Sequence, residues 1–254
     1  MLILLPPSES KARTRRRGRP VDLEQLSMPE LGPVRSAVLD ALVRVSARPD
    51  ALALLGVGEA VRPEVQANLA LPALPSASAL AVYTGVLYAA LDYPSLSPAA
   101  KRRAGRALRV QSALWGPVGP ADRIAPYRLA MSTSLPGLGP VAAVWRRALA
   151  EPMSRLAEGR LVVDCRSATY AAAWSPVGEA ARALLAVRVF TEVAGRRVVV
   201  SHRAKQTRGE VVRTLLEWPR PLRTVADAAA AVASRHPCTL VDHGRRGFSL
   251  DVLR

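Results

Sequence analysis

The sequence predicts a single α/β domain over residues 1–254, with a mixed sheet and some α+β character. Three observations lead to this class. Half of the residues are apolar, which is enough for a large buried core. Short continuous apolar runs, typical of buried strands, recur along the chain. Strand and helix patterns alternate irregularly, include one hairpin, and show neither an internal repeat nor an obvious linker.

The N-terminal half contains three well-marked elements. "LILL" at 2–5 is an apolar run ended by two prolines, which predicts a buried strand followed by a loop. Residues 29–48 carry apolar side chains at helical spacing and predict a helix. "ALRVQSALWG" at 107–116 predicts a second buried strand that runs into a glycine turn.

The C-terminal half continues with both kinds of element. "GRLVVDCRSATYAAAW" predicts a strand, a sharp turn and a helix, and Ser167 near the turn is most simply a helix N-cap. "LLAVRVFTEVAGRRVVVSHRA" predicts a β-hairpin whose strands join near Ala194 and Gly195. "VADAAAAVAS" predicts a helix, and "GFSLDVLR" a terminal strand.

The net charge of +16 points to a polyanionic partner, such as DNA, RNA, a nucleotide or an acidic membrane surface. An arginine-rich, alanine-rich composition is also typical of a GC-rich genome, which raises the arginine content without any ligand. The densest basic run lies at 11–19 and includes Lys11; such a run is usually solvated, or it can close over an anion. Both interpretations of the charge stay open.

Several classes of protein are not supported. Cys165, Cys238 and the three histidines show no metal-ligand spacing, so we expect no metal. The chain has no catalytic triad, Walker loop or dinucleotide fingerprint, and we expect no cofactor. Residues 65–91 lack charge but are broken by prolines and glycine, so we expect no membrane partner. Because charges follow the first apolar run, unlike in a secretory signal, we expect a cytoplasmic protein.

A second basic segment, "AKQTRGEVVRTLLEW" at about 204–218, predicts a helix with an apolar stripe at its C-terminal half. At 100° per residue, Lys205 and Arg208 fall on the same side as that stripe. Unpaired inward charges are costly, so they must meet carboxylates or an anion in a cleft. Gly209 would permit close approach of that anion.

The alternative for this helix is an internal salt bridge, to which Glu210 or Glu217 contributes. Buried charges are rare unless they are paired or functional, and we therefore favour a cleft with a phosphate site.

A loop-rich stretch, "QSALWGPVGPADRIAPYRLAMSTSL", forms a second group of candidate site residues. Long structured loops are commonly functional. Tyr127 and Arg128 together offer a stacking face and a bidentate fork for phosphate or carboxylate. Alternatively, Tyr127 packs in the core and Arg128 pairs with Asp122.

A possible helix-hairpin-helix element spans approximately residues 48–66. "ALALLGVGEAVRPEV" predicts a helix, a tight turn from Gly56 to Gly58 and a second helix, whose first amides can hold a phosphate. The alternative is a plain glycine-capped pair of helices.

These stretches together resemble the YaaA family of peroxide stress proteins, also called the UPF0246 group. The resemblance rests on "MLILLPPSES", "YTGVLYAAL", "ADRIAPYRLAM", "VVDCRSATY", "VSHRAKQTRGEVVR" and "FSLDVLR", in family order over essentially the whole chain. It implies an α/β domain with a helix-hairpin-helix and a positively charged cleft, in a cytosolic protein that limits peroxide damage and binds DNA. It carries over Tyr83, Gly85, Ser112, Gly116, Asp122, Tyr127, Arg128, Ser167, Tyr170, Lys205, Arg208 and Gly209. Ser10 stands where the branch with a "PPSEGK" opening has glycine.

Two functions follow. The first is DNA binding linked to protection against peroxide. The second is an enzyme that acts on a nucleotide or other small anionic metabolite, with Lys205, Tyr127 and Ser167 as catalytic residues. The residues expected to hold DNA or the anion are Arg128, Arg208, Gly209, Lys205, Tyr83, Ser112, Tyr170, Lys11, Gly56 and Gly58. Convergence of these side chains on one pocket favours the enzyme, and a groove of arginines beside Gly56–Gly58 favours DNA binding.

Overall fold

A mixed eight-stranded sheet is the centre of the fold. The computed structural model describes residues 1–12, 17–193, 196–198 and 201–254. The strands are β1 (Leu2–Leu5), β2 (Ala77–Ser78), β3 (Leu108–Ser112), β4 (Gly116–Val118), β5 (Arg123–Ile124), β6 (Ser134–Leu135), β7 (Gly139–Pro140), β8 (Val162–Asp164), β9 (Leu184–Val193), β10 (Arg196–Val198), β11 (Cys238–Asp242) and β12 (Phe248–Leu253).

The helices surround this sheet and connect its strands. They are α1 (Gly32–Ser46), α2 (Ala51–Leu55), α3 (Arg62–Ala67), α4 (Ala79–Val82), α5 (Val86–Leu91), α6 (Pro98–Ala107), α7 (Val141–Ala157), α8 (Ala168–Ala171), α9 (Glu179–Arg182), α10 (Ser201–Glu217) and α11 (Val225–Ala233). The α/β class with a mixed sheet is confirmed.

The sheet has five parallel strands at its centre, in the order β12, β9, β8, β1 and β3. Antiparallel strands complete it, with β4 beside β3, β11 beside β12 and β10 beside β9. All four residues of β1 are buried, as expected for an apolar run in a parallel sheet that is covered on both faces. Because β1, β8 and β3 run in one direction, the loops after them meet at one edge of the sheet.

Most predicted elements are present with small shifts of their ends. The helix predicted at 29–48 is α1, and the helix predicted at 204–218 begins earlier, at Ser201. The predicted hairpin is confirmed by the antiparallel pairing of β9 with β10, but its turn at Ala194 and Gly195 lies outside the described residues.

Residues 13–16 of the basic loop predicted at 11–19 lie outside the described residues. Among the residues that the structure does describe, no helix is both long enough and apolar enough to cross a membrane.

Candidate functional site

A cavity of about 670 Å³ lies at the edge of the sheet where the parallel strands β1 and β8 end. The loop after β1 forms one wall with residues 6–11, and Ser167, Thr169 and Tyr170 follow β8. The other walls come from residues 53–57, 84–88 and 128–134 and from Lys205 and Arg208 on α10. The topology thus brings together six segments that are far apart in the chain.

Four basic side chains line the cavity, and they belong to Lys11, Arg128, Lys205 and Arg208. The Arg128 guanidinium lies 3.4 Å from the Glu64 carboxylate, and its side chain is 23% exposed. Arg208 donates from Nε to the carbonyl oxygen of Val187 at 3.4 Å. Lys205 Nζ lies 3.5 Å from Glu9 Oε1.

The partners of Arg128 and Lys205 differ from those that the sequence suggested. Arg128 pairs with Glu64, and not with Asp122, whose carboxylate accepts from Ser27 and Gly119 instead. The expectation of an inward, buried Lys205 is wrong, since its side chain is half exposed. A lysine at the rim of an open cavity stays in contact with water, so the cost of burying its charge does not arise.

Lys205 does not pair with a carboxylate of its own helix. The sequence suggested Glu210 or Glu217, but Glu210 lies beside Arg254 and Glu217 beside Arg213. The Lys205 partner is Glu9, from the loop after β1.

Lys11 is the more enclosed lysine of the cavity. Its Nζ donates to the carbonyl oxygens of Ser8 at 2.9 Å and Glu9 at 3.3 Å. It also lies 4.4 Å from the centre of the Tyr127 ring. Burial lowers the pKa of Lys11 from its ordinary value of 10.5 to about 8, and the positive charge of Arg128 acts in the same direction.

Ser112, Tyr127 and Tyr83 lie behind the wall of the cavity and are not among the residues that line it. Ser112 Oγ donates to the Tyr127 hydroxyl at 2.7 Å and accepts from the backbone N–H of Trp115 at 2.8 Å. Burial raises the pKa of both tyrosine hydroxyls. These groups therefore support the wall on which Lys11 rests.

Ser167 and Tyr170 stand at the cavity side of α8. Ser167 occupies the N-cap position, but its side chain makes no capping hydrogen bond. Its hydroxyl therefore does not serve as the cap that the sequence suggested. Burial raises the pKa of the Tyr170 hydroxyl.

Gly209 lies away from the cavity, in the contact between α10 and α5. A Cβ at this position would stand 2.2 Å from the carbonyl oxygen of Leu87 and 2.9 Å from Ala90 Cβ. Its lack of a side chain lets the two helices approach, which is a packing role.

A helix-hairpin-helix element is not confirmed. Helix α2 has only five residues and ends at Gly56, whose φ of 65° is the left-handed conformation of a helix C-cap. After Gly58 the chain forms a 3-10 turn that begins at Glu59, and this carboxylate is bound by Arg62. The start of the second helical segment is therefore occupied by an acid, and only Gly56 of the two glycines lines the cavity.

One part of the wall was not identified from the sequence. Leu54 and Val57 form an apolar surface beside the turn after α2. This pair could not be told from core residues, since helical spacing shows a buried face without showing what covers it. Residues 131–134 also line the cavity, and they belong to the loop-rich stretch already selected from the sequence.

Comparison with known proteins places this site in a family context. The model of a family described as "Peroxide stress protein YaaA" matches residues 1–225. A UPF0246 protein of Streptomyces coelicolor is 46% identical over 262 residues, covering 100% of this chain and 98% of that protein. A UPF0246 protein of Corynebacterium efficiens is 38% identical, covering 97% of each chain. A UPF0246 protein of Burkholderia mallei is 30% identical, covering 85% of this chain and 86% of that protein.

Proposed function

The chain belongs to the family of the peroxide stress protein YaaA and is thus a peroxide stress-related protein; from this premise we propose that its cavity binds a small phosphate-bearing metabolite of nucleotide size. A chemical step on that ligand is part of the same proposal, because the cavity offers a serine hydroxyl and two lysine amines as well as cations.

The observation that carries this proposal is the convergence of Arg128, Lys205 and Arg208 on one concave site. Its volume of about 670 Å³ falls inside the range of roughly 300–1,000 Å³ that is usual for small-molecule pockets. Two guanidinium groups offer forks that match phosphate oxygens.

Other lining residues suit the rest of such a ligand. Leu54, Val57 and Met131 present apolar surface, and Tyr170 presents an aromatic ring. A ligand that carries both a phosphate and a flat ring would use both kinds of lining, as a nucleoside monophosphate does.

The test is isothermal titration calorimetry with the four common nucleoside monophosphates, their nucleosides and inorganic phosphate. We expect at least one monophosphate to bind, and its nucleoside to bind at least tenfold more weakly. Arg128→Gln and Arg208→Gln should each weaken binding about tenfold or more, since each removes a charge-assisted contact.

The matched control is Arg203→Gln. Arg203 is exposed on the same helix as Arg208 and does not line the cavity, so this variant should bind as the wild type does. Equal binding of nucleoside and nucleotide, or equal losses in all three variants, would contradict a phosphate site in the cavity.

DNA binding is the second candidate, and a different surface favours it. Helix α6 carries Lys101, Arg102, Arg103 and Arg106 and no acidic residue. Among the ion pairs formed by the described residues, none involves these four cations. Helix α6 therefore carries positive charges without a neighbouring carboxylate, which suits binding to a DNA phosphate backbone. The cavity is less suited to that backbone, because its lining also contains the carboxylate of Glu9.

The two candidates are separated by binding to a short DNA duplex across a salt series. If α6 contacts phosphates, Arg102→Gln combined with Arg106→Gln should reduce the log–log salt slope by about 1.8, while Arg128→Gln leaves it unchanged. A duplex that does not bind at low salt would leave the arginine excess as a feature of genome composition.

A further inference from the structure

We propose that Lys11 is the reactive amine of the cavity and that it forms an imine with an aldehyde or ketone ligand that also carries a phosphate. The inference rests on the proposed function, since the arginines of the cavity would hold the phosphate.

The backbone fixes Lys11 in place. It forms a β-bridge with Tyr83, and the next residue, Ala12, donates its N–H to the carbonyl oxygen of Val82 at 2.8 Å. The side chain is also held, because Nζ donates to the carbonyl oxygens of Ser8 and Glu9. A nucleophile must be presented in one orientation, and these backbone and side-chain contacts hold Lys11 in one.

The same contacts hold the amine in either protonation state. A neutral amine has two N–H bonds, which are enough for the two carbonyl acceptors, and it keeps one lone pair for attack. The Tyr127 ring, 4.4 Å from Nζ, can accept the third N–H of an ammonium and favours that form.

The charges around Lys11 act in both directions. Burial and Arg128 favour the neutral amine, while the carboxylates of Glu9 and Glu64 favour the ammonium. Burial is the largest of these effects, and it lowers the pKa of Lys11 to about 8. A substantial fraction of the amine is therefore neutral at slightly alkaline pH.

Lys205 has a different environment. It is half exposed, and the Glu9 carboxylate lies 3.5 Å from its Nζ, which favours an ion pair. Lys205 is therefore suited to attract an anion, and Lys11 to attack a carbonyl carbon.

The chemical step needs only the ligand and the amine. The Lys11 lone pair adds to the carbonyl carbon, and one N–H proton of the amine passes to the carbonyl oxygen to give a carbinolamine. The nitrogen then loses its proton as water leaves, and a C=N bond replaces the C=O bond. One water is released, and no oxidant or reductant is needed.

The chain makes this step easy to test, because it contains only three lysines: Lys11, Lys101 and Lys205. The probe is pyridoxal phosphate, which combines an aldehyde with a phosphate. The full chain is treated at pH 8, reduced with borohydride, digested and analysed by mass spectrometry. Pyridoxal, which lacks the phosphate, is the matched probe.

We expect Lys11 to be labelled at least tenfold faster than Lys101 or Lys205, with an initial rate that rises to half its maximum near pH 8. Pyridoxal should label it at least tenfold more slowly, and inorganic phosphate should compete with pyridoxal phosphate. Lys11→Met should reduce labelling in the cavity to the slower rate of Lys205, and circular dichroism should show that this variant is folded.

The contrary outcomes are distinguishable. Equal labelling of the three lysines, or preferential labelling of Lys205 that phosphate still blocks, would overturn the role of Lys11 and leave the phosphate site standing. Lys11 labelled equally fast by both probes, with no competition by phosphate, would support a reactive amine and contradict both the phosphate-bearing ligand and the proposed function.

Discussion

Replacing Gly209 with alanine should separate packing from ligand binding at the centre of α10. In the structure, a Cβ at this position would lie 2.2 Å from the carbonyl oxygen of Leu87, 2.9 Å from Ala90 Cβ and 3.0 Å from the backbone nitrogen of Leu91. Ordinary contacts of a Cβ are 3.4–4 Å. All three neighbouring atoms belong to α5, two as backbone atoms and one as the Cβ of Ala90. No flexible side chain is therefore available to move aside.

The expected cost follows from two opposing effects. Overpacking a filled interface costs about 1–3 kcal/mol, and occasionally more. Alanine in a helix interior is favoured over glycine by about 1 kcal/mol. The Cβ would lie more than 1 Å inside its ordinary contact distance from the Leu87 carbonyl oxygen, which is a backbone atom. We therefore expect an overpacking cost of about 3 kcal/mol or more. After the gain from helix propensity, the free energy of unfolding should fall by about 2 kcal/mol. In a chain of this size that corresponds to a fall in Tm of roughly 4–8 °C.

The assay is urea unfolding followed by circular dichroism, with Gly105→Ala as the control. Gly105 lies inside α6, and nothing stands within 4 Å of a Cβ built there. This control should stabilise the protein by up to about 1 kcal/mol. If Gly209→Ala proves as stable as Gly105→Ala, the close approach of α10 to α5 is wrong. If it is stable but loses ligand binding, Gly209 belongs to the site after all.

Three further predictions concern groups that are wholly or partly buried. Arg35 is fully buried and donates to three backbone carbonyls. Arg35→Met should therefore lower the free energy of unfolding by at least about 3 kcal/mol. The control is Arg44→Met at an exposed position of the same helix, which should cause no measurable change. Burial raises the pKa of the Cys165 thiol to about 12. N-ethylmaleimide and hydrogen peroxide at pH 7.5 should therefore leave Cys165 unmodified in the native protein, while Cys238 reacts slowly. A mass shift on Cys165 would show that its thiol is accessible. The pKa of Lys11 is about 8 in the folded chain against an ordinary 10.5, so the unfolded chain binds more protons between these values and stability rises with pH across that window. Between pH 7.5 and 9.5 the free energy of unfolding of the wild type should rise by about 1–2 kcal/mol relative to that of Lys11→Met. The same pH dependence in both proteins, measured by urea unfolding, would contradict the lowered pKa of Lys11.

Local sequence pattern was sufficient for most elements of the fold. "LILL" is continuous apolar sequence ended by prolines, and it forms β1 with the predicted ends. The helices predicted around 29–48 and 204–218 are present because their apolar stripes pack on neighbouring elements. Such patterns report the period of the backbone, which is a local property.

The candidate site was predicted in part. Seven of the residues selected from the sequence line the one cavity: Lys11, Gly56, Arg128, Ser167, Tyr170, Lys205 and Arg208.

Other selected residues lie elsewhere. Ser112, Tyr127 and Tyr83 were selected by the same reasoning and lie behind the cavity wall. A polar residue in a loop looks the same in the sequence whether it faces a ligand or supports the residue that does.

The sequence by itself determined the strand and helix periods, the excess of positive charge and the set of polar residues available for chemistry. The tertiary structure decided which of them meet, that Lys11 is enclosed while Lys205 is half exposed, and that Gly209 serves the contact between two helices. The reason is physical. Periodicity fixes the direction in which a side chain leaves its own backbone, but burial, pKa and pairing depend on what another segment places opposite it, and only the packing of distant segments settles that.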